Sequence, residues 1–175
     1  MIVAGDEASL YLQATTQRVW HQRGRTPLVK LDPGRKHIHF YGGLNLQTGQ
    51  EVVTMRSTVM NAEVSALFLY KLAAAFPEQD ILLLWDRAPW HRGPEIDAAL
   101  AAHPNLEILY LPTAAPELNP QEHIWKSARS AVSHNHSQRK LDTLADQFED
   151  FLKSNSFPCP LLDKYGYNYL CMMFN

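Results

Sequence analysis

Three acidic side chains carry the strongest indication of chemistry in the sequence. Asp6 lies in the first apolar segment, Asp86 ends the apolar run "ILLLWD", and Glu122 lies in "LNPQEHIWK". If the strands that carry Asp6 and Asp86 are neighbours, and a helix begins just before Glu122, the three carboxylates can reach one spot. Acids gathered without bases repel one another, and a divalent ion such as Mg²⁺ or Mn²⁺ removes that repulsion. Two such ions support in-line chemistry on phosphodiesters.

Each acid also has an ordinary structural interpretation. Asp6 could be a solvated aspartate at the start of a strand, and Asp86 could open the turn "DRAPW". Residues 119–122 match an Asn-x-x-Glu capping box with proline at the first helical position. Lys126 is also placed one turn away from Glu122, where it could form an ion pair on the helix surface. Taken one at a time, these interpretations are the stronger ones.

The surrounding pattern predicts the element order β-β-β-α-β-α-β-α-α. Three segments have the branched, aromatic or alternating character of antiparallel strands, and two near-continuous apolar runs are typical of strands buried on both faces: 2–12, 37–46, 51–57, 80–86 and 106–112. Helical spacing or helix-start signals mark the segments 61–76, 93–103, 119–134 and 139–153. Antiparallel strands followed by alternating helices and strands predict an α/β fold, a mixed sheet with helices on both faces.

A family resemblance supports reading the three acids together. "WDRAPWH" and the later "LEILYLPTAAPELNPQEHIWK" resemble the DDE transposases of the mariner and insertion-sequence-630 group. That group has Asp-Asn-Ala-Pro-x-His, then Leu-Asn-Pro-x-Glu-x-x-Trp. The 35 residues between positions 86 and 122 fit the group's spacing. The opening segment and "FYGGLNLQTGQ" resemble its first two strands, so that the likeness covers about residues 3–153.

The resemblance implies a ribonuclease H-like fold and a specific reaction. Asp6, Asp86 and Glu122 would be the catalytic triad and would hold two Mg²⁺ or Mn²⁺ ions, with Asp6 bridging both. Water would cut DNA at the transposon ends, and the freed 3′-hydroxyl would then attack target DNA without a covalent protein intermediate. A stand-alone nuclease of the same fold, or a degenerate remnant that binds DNA or a partner without cutting, are the alternatives.

Basic residues near the second and third acids are candidate DNA contacts. Arg87 stands where the group usually has asparagine, and His91 closes the same motif. The other candidates lie on the two helices that follow Glu122: Lys126, Arg129, Arg139 and Lys140. They could hold phosphates beside the metals, although a solvated helix face is an equally good interpretation.

Composition favours one ordinary globular domain. The chain has 175 residues, 46% of them hydrophobic and 19% charged, with a net charge of −2. It has no apolar run of 18 residues and no secretory signal, which predicts a cytoplasmic protein that does not contact membranes. The family resemblance implies that the protein is bacterial and is associated with the nucleoid when active. Cys159 and Cys171 have no metal or redox spacing and are expected to be free thiols. The near-neutral charge also argues against coating nucleic acid by bulk charge.

The predicted organisation is a catalytic domain over residues 1–155 and an apolar tail over residues 156–175. The tail is expected to pack on the core or to form a dimer contact. Full-length members of the group carry helix-turn-helix modules upstream of the first acid, and position 6 leaves no room for one. The expected partners are therefore DNA, a separately encoded helix-turn-helix subunit, and a second copy of the chain.

Overall fold

The computed structural model describes residues 1–25, 28, 34–113 and 115–157. Cys159, Cys171 and the tail from residue 158 onward lie outside the described residues. The strands are β1 (Ile2–Tyr11), β2 (His37–Asn45), β3 (Gln50–Ser57), β4 (Ile81–Trp85) and β5 (Leu106–Tyr110). The helices are α1 (Ala62–Ala75), α2 (Pro94–Ala102), α3 (Pro120–Ala128) and α4 (Leu141–Ser154). Short 3₁₀ turns cover Pro89–His91 and Pro116–Leu118. The predicted element order is confirmed.

The strands form one mixed sheet in the order β3-β2-β1-β4-β5. β2 is antiparallel to both β1 and β3, whereas β4 is parallel to both β1 and β5. β1 pairs with β4 from Ile2 to Ala4, where Ala4 lies opposite Leu84. Its pairing with β2 continues as far as Tyr11. Extending the Ala4–Leu84 register by two residues places Asp6 level with Asp86, just beyond the end of β4.

Alternation along β1 divides the molecule into two cores. One core lies under α3 and α4 and includes Ala4, Trp125 and Phe148, while the other lies under α1 and α2 and includes Val3 and Phe68. Because successive side chains of a strand point to opposite faces, Asp6 belongs to the α3 face and Glu7 to the α1 face. This confirms the prediction of helices on both faces of the sheet.

A side-chain cap explains where α1 begins. Asn61 caps α1, since its Oδ1 accepts a hydrogen bond of 2.9 Å from the Val64 amide. The predicted helix 119–134 is confirmed as helical, but its type changes, because the α-helix α3 ends at Ala128 and a wider π-helical turn continues it over Arg129–Ser133. That turn is closed by the His134 amide, which donates to the Arg129 carbonyl at 2.8 Å. No glycine or proline marks this change in the sequence.

Side chains of α3 pack tightly over Gly42 in β2. A Cβ atom at this position would overlap with the Glu51 carboxylate and lie 2.5 Å from both Gln121 Nε2 and the Trp125 ring. Only a residue without a side chain leaves room for these groups, which surround the base of the site described below. Within the part of the chain that the structure describes, no helix is both long and apolar enough to span a bilayer.

Candidate active site

Asp6, Asp86 and Glu122 line one cavity of about 220 Å³. The cavity opens where β1 passes the end of β4 and where α3 begins. Arg87 and Asn119 also line it. The topology brings together three acids that are 80 and 36 positions apart in the sequence, at the place where the sequence pattern predicted that they would meet.

Asp6 is buried and is held by a neutral donor. Its side chain is 8% exposed, and Trp125 Nε1 donates a hydrogen bond of 2.9 Å to its Oδ2. Burial raises the pKa of Asp6 well above its usual value, and the nearby charges of Glu7, Glu122 and Asp86 raise it further. Trp125 is fully buried in the core under α3 and α4, and its helical spacing in the sequence gives no sign of its bond to Asp6.

Asp86 lies directly after β4 and has a cationic partner. Its side chain is half exposed, and its Oδ1 lies 2.7 Å from His91 Nδ1 and accepts a 3.0 Å hydrogen bond from the Ala88 amide. The hydrogen bond from His91 lowers the pKa of Asp86, and the Ala88 amide assists, against the opposing effect of burial. Asp86 thus also opens the turn that its sequence context suggested.

Glu122 lies in the first turn of α3, and its helix is capped without it. Asn119 Oδ1 accepts a 3.1 Å hydrogen bond from the Gln121 amide, and Asn119 Nδ2 donates to the Gly5 carbonyl at 3.1 Å. Asn119 therefore caps the helix and fastens it to β1 beside Asp6. With the residues that the structure describes, the Glu122 carboxylate forms neither the capping-box bond nor an ion pair with Lys126.

His91 does not lie where a DNA contact would need it. It is fully buried, with Nε2 at 2.9 and 3.0 Å from the two Glu7 carboxylate oxygens and Nδ1 facing Asp86. Burial alone would lower the pKa of His91, but its bonds to Asp86 and Glu7 outweigh this and raise it to about 9. A direct contact with DNA is incompatible with a side chain that has no exposed surface, so that prediction is wrong for the described conformation.

Two further acids belong to the surroundings of the site and were missed. Glu7 has a side chain only 5% exposed and pairs with His91. Glu51 accepts hydrogen bonds of 2.9 Å at both carboxylate oxygens from Gln121 Nε2, and burial raises its pKa to about 8. The alternation of β1 places Glu7 on the face opposite Asp6, which is a usable signal. No sequence signal connects Glu51 with α3.

The predicted basic contacts are dispersed over the surface. Arg87 lines the acidic cavity, donates from Nε to the Leu111 carbonyl at 3.1 Å, and lies over the Tyr110 ring. Arg129 lines a separate cavity of about 280 Å³ beside the second half of β1. The remaining candidates are exposed: Lys126, Arg139 and Lys140. Among the six predicted contacts, the structure therefore brings Arg87 into the acidic cavity.

The donor set of the cavity suits a hard divalent cation. Three carboxylates share it, and the pKa of one of them, Asp6, is raised by burial and by its acidic neighbours. Carboxylate oxygens are what Mg²⁺ and Mn²⁺ prefer. Among residues 1–25, 28, 34–113 and 115–157, however, no three His, Cys, Asp or Glu side chains are already gathered as the ligands of one ion. The acids share a cavity but are not drawn together to ligand spacing.

A family model decides the relationship of the chain. The model of the DDE superfamily endonucleases matches residues 1–145. The chain belongs to the DDE superfamily endonucleases. This chain is 26% identical over 158 residues to the "Insertion element IS630 uncharacterized 39 kDa protein" of Shigella sonnei, a match that covers 87% of this chain and 45% of that protein. The chain thus spans about half the length of the curated relative that it matches.

Solved structures show the fold of this chain. The Mos1 transposase paired-end complex with left transposon end matches with a TM-score of 0.70 at 18% identity, covering 90% of this chain and 49% of that one. The Mos1 mariner paired-end complex with Mn matches with a TM-score of 0.67 at 16% identity, covering 90% and 49%. At these identities the likeness concerns the fold, which is ribonuclease H-like, as the sequence resemblance implied.

Proposed function

We propose that this chain is the catalytic domain of a DDE transposase that cuts DNA at transposon ends and transfers the strand into target DNA. The observation that carries the proposal is the cavity shared by Asp6, Asp86 and Glu122 where β1 passes the end of β4. A family of endonucleases and a shared acidic cavity together favour metal-dependent phosphodiester chemistry over a binding role alone.

The three acids are proposed to hold two Mg²⁺ or Mn²⁺ ions. When bound, such ions activate a water or 3′-hydroxyl and stabilise the leaving oxygen. Trp125 holds one oxygen of Asp6. Asn119 fixes the first turn of α3, which carries Glu122, to β1. Both carboxylates are therefore positioned by the protein without a metal ion. Solved Mos1 structures that match the fold include paired-end complexes with Mn and with Mg, which supports the same choice of ions for this chain.

DNA is the proposed partner, and Arg87 is the best-placed phosphate contact. Its guanidinium lines the acidic cavity and is held by Leu111 and Tyr110, so it loses little freedom when it binds a phosphate. Mos1 structures that match the fold contain a transposon end, which supports the same class of partner here. Arg87→Ala is expected to weaken DNA binding uniformly across sequences and to make it less dependent on salt, by about one counterion.

Two protein partners complete the proposal. The first proposed protein partner is a separately encoded helix-turn-helix unit, which would recognise the transposon ends as the family resemblance implies. A second copy of the chain would serve the second transposon end. Adding an upstream helix-turn-helix protein to the chain would then increase cleavage at the ends, whereas an unchanged rate would count against a separate subunit.

Replacement of Glu122 tests the catalytic proposal. Wild-type chain with Mn²⁺ is expected to nick duplex DNA that carries the element's ends, and Glu122→Gln is expected to lose at least about 10³-fold in rate because a metal ligand is removed. Glu117→Gln, an exposed acid in the 3₁₀ turn just before α3, is the matched control and is expected to cut normally.

The other outcomes separate the remaining interpretations. Equal cleavage by wild type and Glu122→Gln would place the chemistry elsewhere or in a contaminant. Cleavage of any DNA without strand transfer would favour a stand-alone nuclease. Binding of DNA without metal-dependent cleavage, even with an upstream helix-turn-helix protein present, would favour a degenerate remnant.

A further inference from the structure

A chain of buried hydrogen bonds leads from Asp86 to the opposite face of β1. His91 Nδ1 lies 2.7 Å from Asp86 Oδ1, and His91 Nε2 lies 2.9 and 3.0 Å from the Glu7 oxygens. Trp90 Nε1 donates to Glu7 Oε2 at 3.2 Å. Carboxylate oxygens accept hydrogen bonds, so each nitrogen of the imidazole ring acts as a donor. His91 therefore joins two carboxylates, one in the cavity and one outside it.

The imidazole ring has no freedom to move away from Asp86. It stacks on Trp85 with the ring centroids 3.6 Å apart, and its side chain has no exposed surface. The backbone is held too, since the His91 amide donates to the Ala88 carbonyl and Tyr110 donates its hydroxyl to the His91 carbonyl at 2.6 Å. A ring fixed on all these sides can hold a more mobile group in place.

Asp86 is the group that needs holding. It lies beyond the last residue of β4, outside the sheet ladder, and half of its side chain is exposed. Its Oδ1 receives both His91 and the Ala88 amide, while its Oδ2 has no hydrogen-bond partner among the described residues. Fixing one oxygen from the protein side determines which oxygen faces the cavity.

We propose that His91, anchored by Glu7, is a positioning residue that binds Oδ1 of Asp86 and thereby presents Oδ2 to the divalent ion. The inference rests on the proposed function and adds two residues that act through Asp86 rather than on DNA. Partners of this kind that orient a ligand commonly change metal affinity by about 10- to 100-fold when they are removed. In a purely structural role, the Glu7–His91 pair would fasten the 3₁₀ turn to β1, and its loss would leave metal binding unchanged.

Manganese affinity of the metal-free chain distinguishes the two roles without relying on catalysis. Electron paramagnetic resonance titration with Mn²⁺, well below the unfolding temperature, gives the Kd. His91→Asn is expected to raise the Kd for Mn²⁺ by about 10- to 100-fold. Glu7→Gln is expected to raise it less, because His91 keeps its bond to Asp86. Ile96→Val, which trims the same core without contacting a carboxylate, is the matched control and is expected to bind like wild type.

Removing His91 alone leaves Glu7 buried without its partner, which can prevent folding. The double variant Glu7→Gln/His91→Asn removes both charges and carries the same expected loss of affinity. Wild-type Kd in either folded variant would overturn the inference, while leaving the catalytic proposal intact if wild type binds Mn²⁺ and cuts DNA. A wild-type chain that binds no Mn²⁺ would overturn both.

Discussion

The sheet separates two acidic environments that differ in what balances them. On the α3 face, Asp6 is paired with the indole of Trp125, and Glu51 with the amide of Gln121. On the other face, Glu7 pairs with Nε2 of His91. The other ring nitrogen of His91 lies beside Asp86, which follows the last residue of β4. The side-chain donors to Asp6 and Glu51 are neutral, whereas Glu7 and Asp86 share one cation, His91.

The difference appears in the pKa values. Burial raises the pKa of both acids on the α3 face, that of Glu51 to about 8, whereas the bond from His91 lowers the pKa of Asp86. Asp6 and Glu7 are adjacent in one strand, but Asp6 is bonded to a neutral indole and Glu7 to a histidine. The carboxylates of Glu7 and Asp86 are balanced by His91, whereas Asp6 is bonded to a neutral indole. Arg87 lines the same cavity but donates to the Leu111 carbonyl, so the described contacts of Asp6 provide no positive charge at its carboxylate. A divalent ion would supply it, which is why the incomplete side is the one expected to respond to metal.

Asp6→Asn is the change with the largest expected effect. It is expected to abolish metal-dependent cleavage, by about 10³-fold or more, because Asp6 is the proposed bridging ligand. The same change is expected to raise the free energy of unfolding without metal by about 1 kcal/mol, since an amide oxygen still accepts from Trp125 and the repulsion is gone. Chemical denaturation in a chelator, beside a DNA-nicking assay, measures both.

Asp80→Asn serves as the control for that prediction, because Asp80 is exposed and lies at the other end of β4. It is expected to change neither quantity. A loss of stability in Asp6→Asn as large as the gain expected here would mean that the buried carboxylate is already balanced by the protein, and the contrast between the two faces would fail.

Trp125→Phe tests whether the neutral donor matters for the site. The change keeps most of the aromatic volume but removes the N–H that donates to Asp6 Oδ2. Cleavage is expected to fall by about 10- to 100-fold and stability by about 1–2 kcal/mol. Phe148→Leu disturbs the same core, since Phe148 stacks on Trp125, but it does not touch Asp6. Similar cleavage by the two variants at matched stability would show that the indole acts only through packing.

Glu51→Gln tests the α3 face through the pH dependence of folding stability. The folded pKa of about 8 lies above the ordinary value of 4.5, so the folded chain keeps a proton that the unfolded chain loses. The contribution of Glu51 to stability is therefore full below about pH 4.5, declines as pH rises to about 8, and is constant above. Glu51→Gln lacks this decline and still accepts a bond from Gln121. Its advantage is expected to reach on the order of 2 kcal/mol at pH 8.

Thermal unfolding of wild type and Glu51→Gln, measured from pH 5 to 9 in a chelator, checks this. The gap between the two Tm values should widen by several degrees between pH 5 and 8 and then stay level. Parallel curves would mean that burial does not raise the pKa of Glu51 in the folded chain.

The sequence allowed the strands, the helices and the meeting point of the three acids to be predicted because these depend on periodicity and on strand ends. The side chains that hold the acids could not be predicted in the same way. Trp125 has the spacing of a core residue, and only the packing of α3 onto β1 turns its N–H toward Asp6. His91 follows Asp86 closely enough to suggest a role at the site, but burial against Trp85 decides that it serves Asp86 and not DNA.

Trp90→Phe is expected to have the smallest effect, and it tests how complete the His91 environment is. The change removes the 3.2 Å hydrogen bond from Trp90 Nε1 to Glu7 Oε2, but both Glu7 oxygens remain within reach of His91 Nε2. Because a charged partner remains, the cost should stay near 0.5–1.5 kcal/mol, and Mn²⁺ affinity should be unchanged. A weakened Mn²⁺ affinity would mean that Glu7 needs the hydrogen bond from Trp90 as well as the one from His91 to hold His91 in place. The His91–Glu7 pair would then not be sufficient by itself.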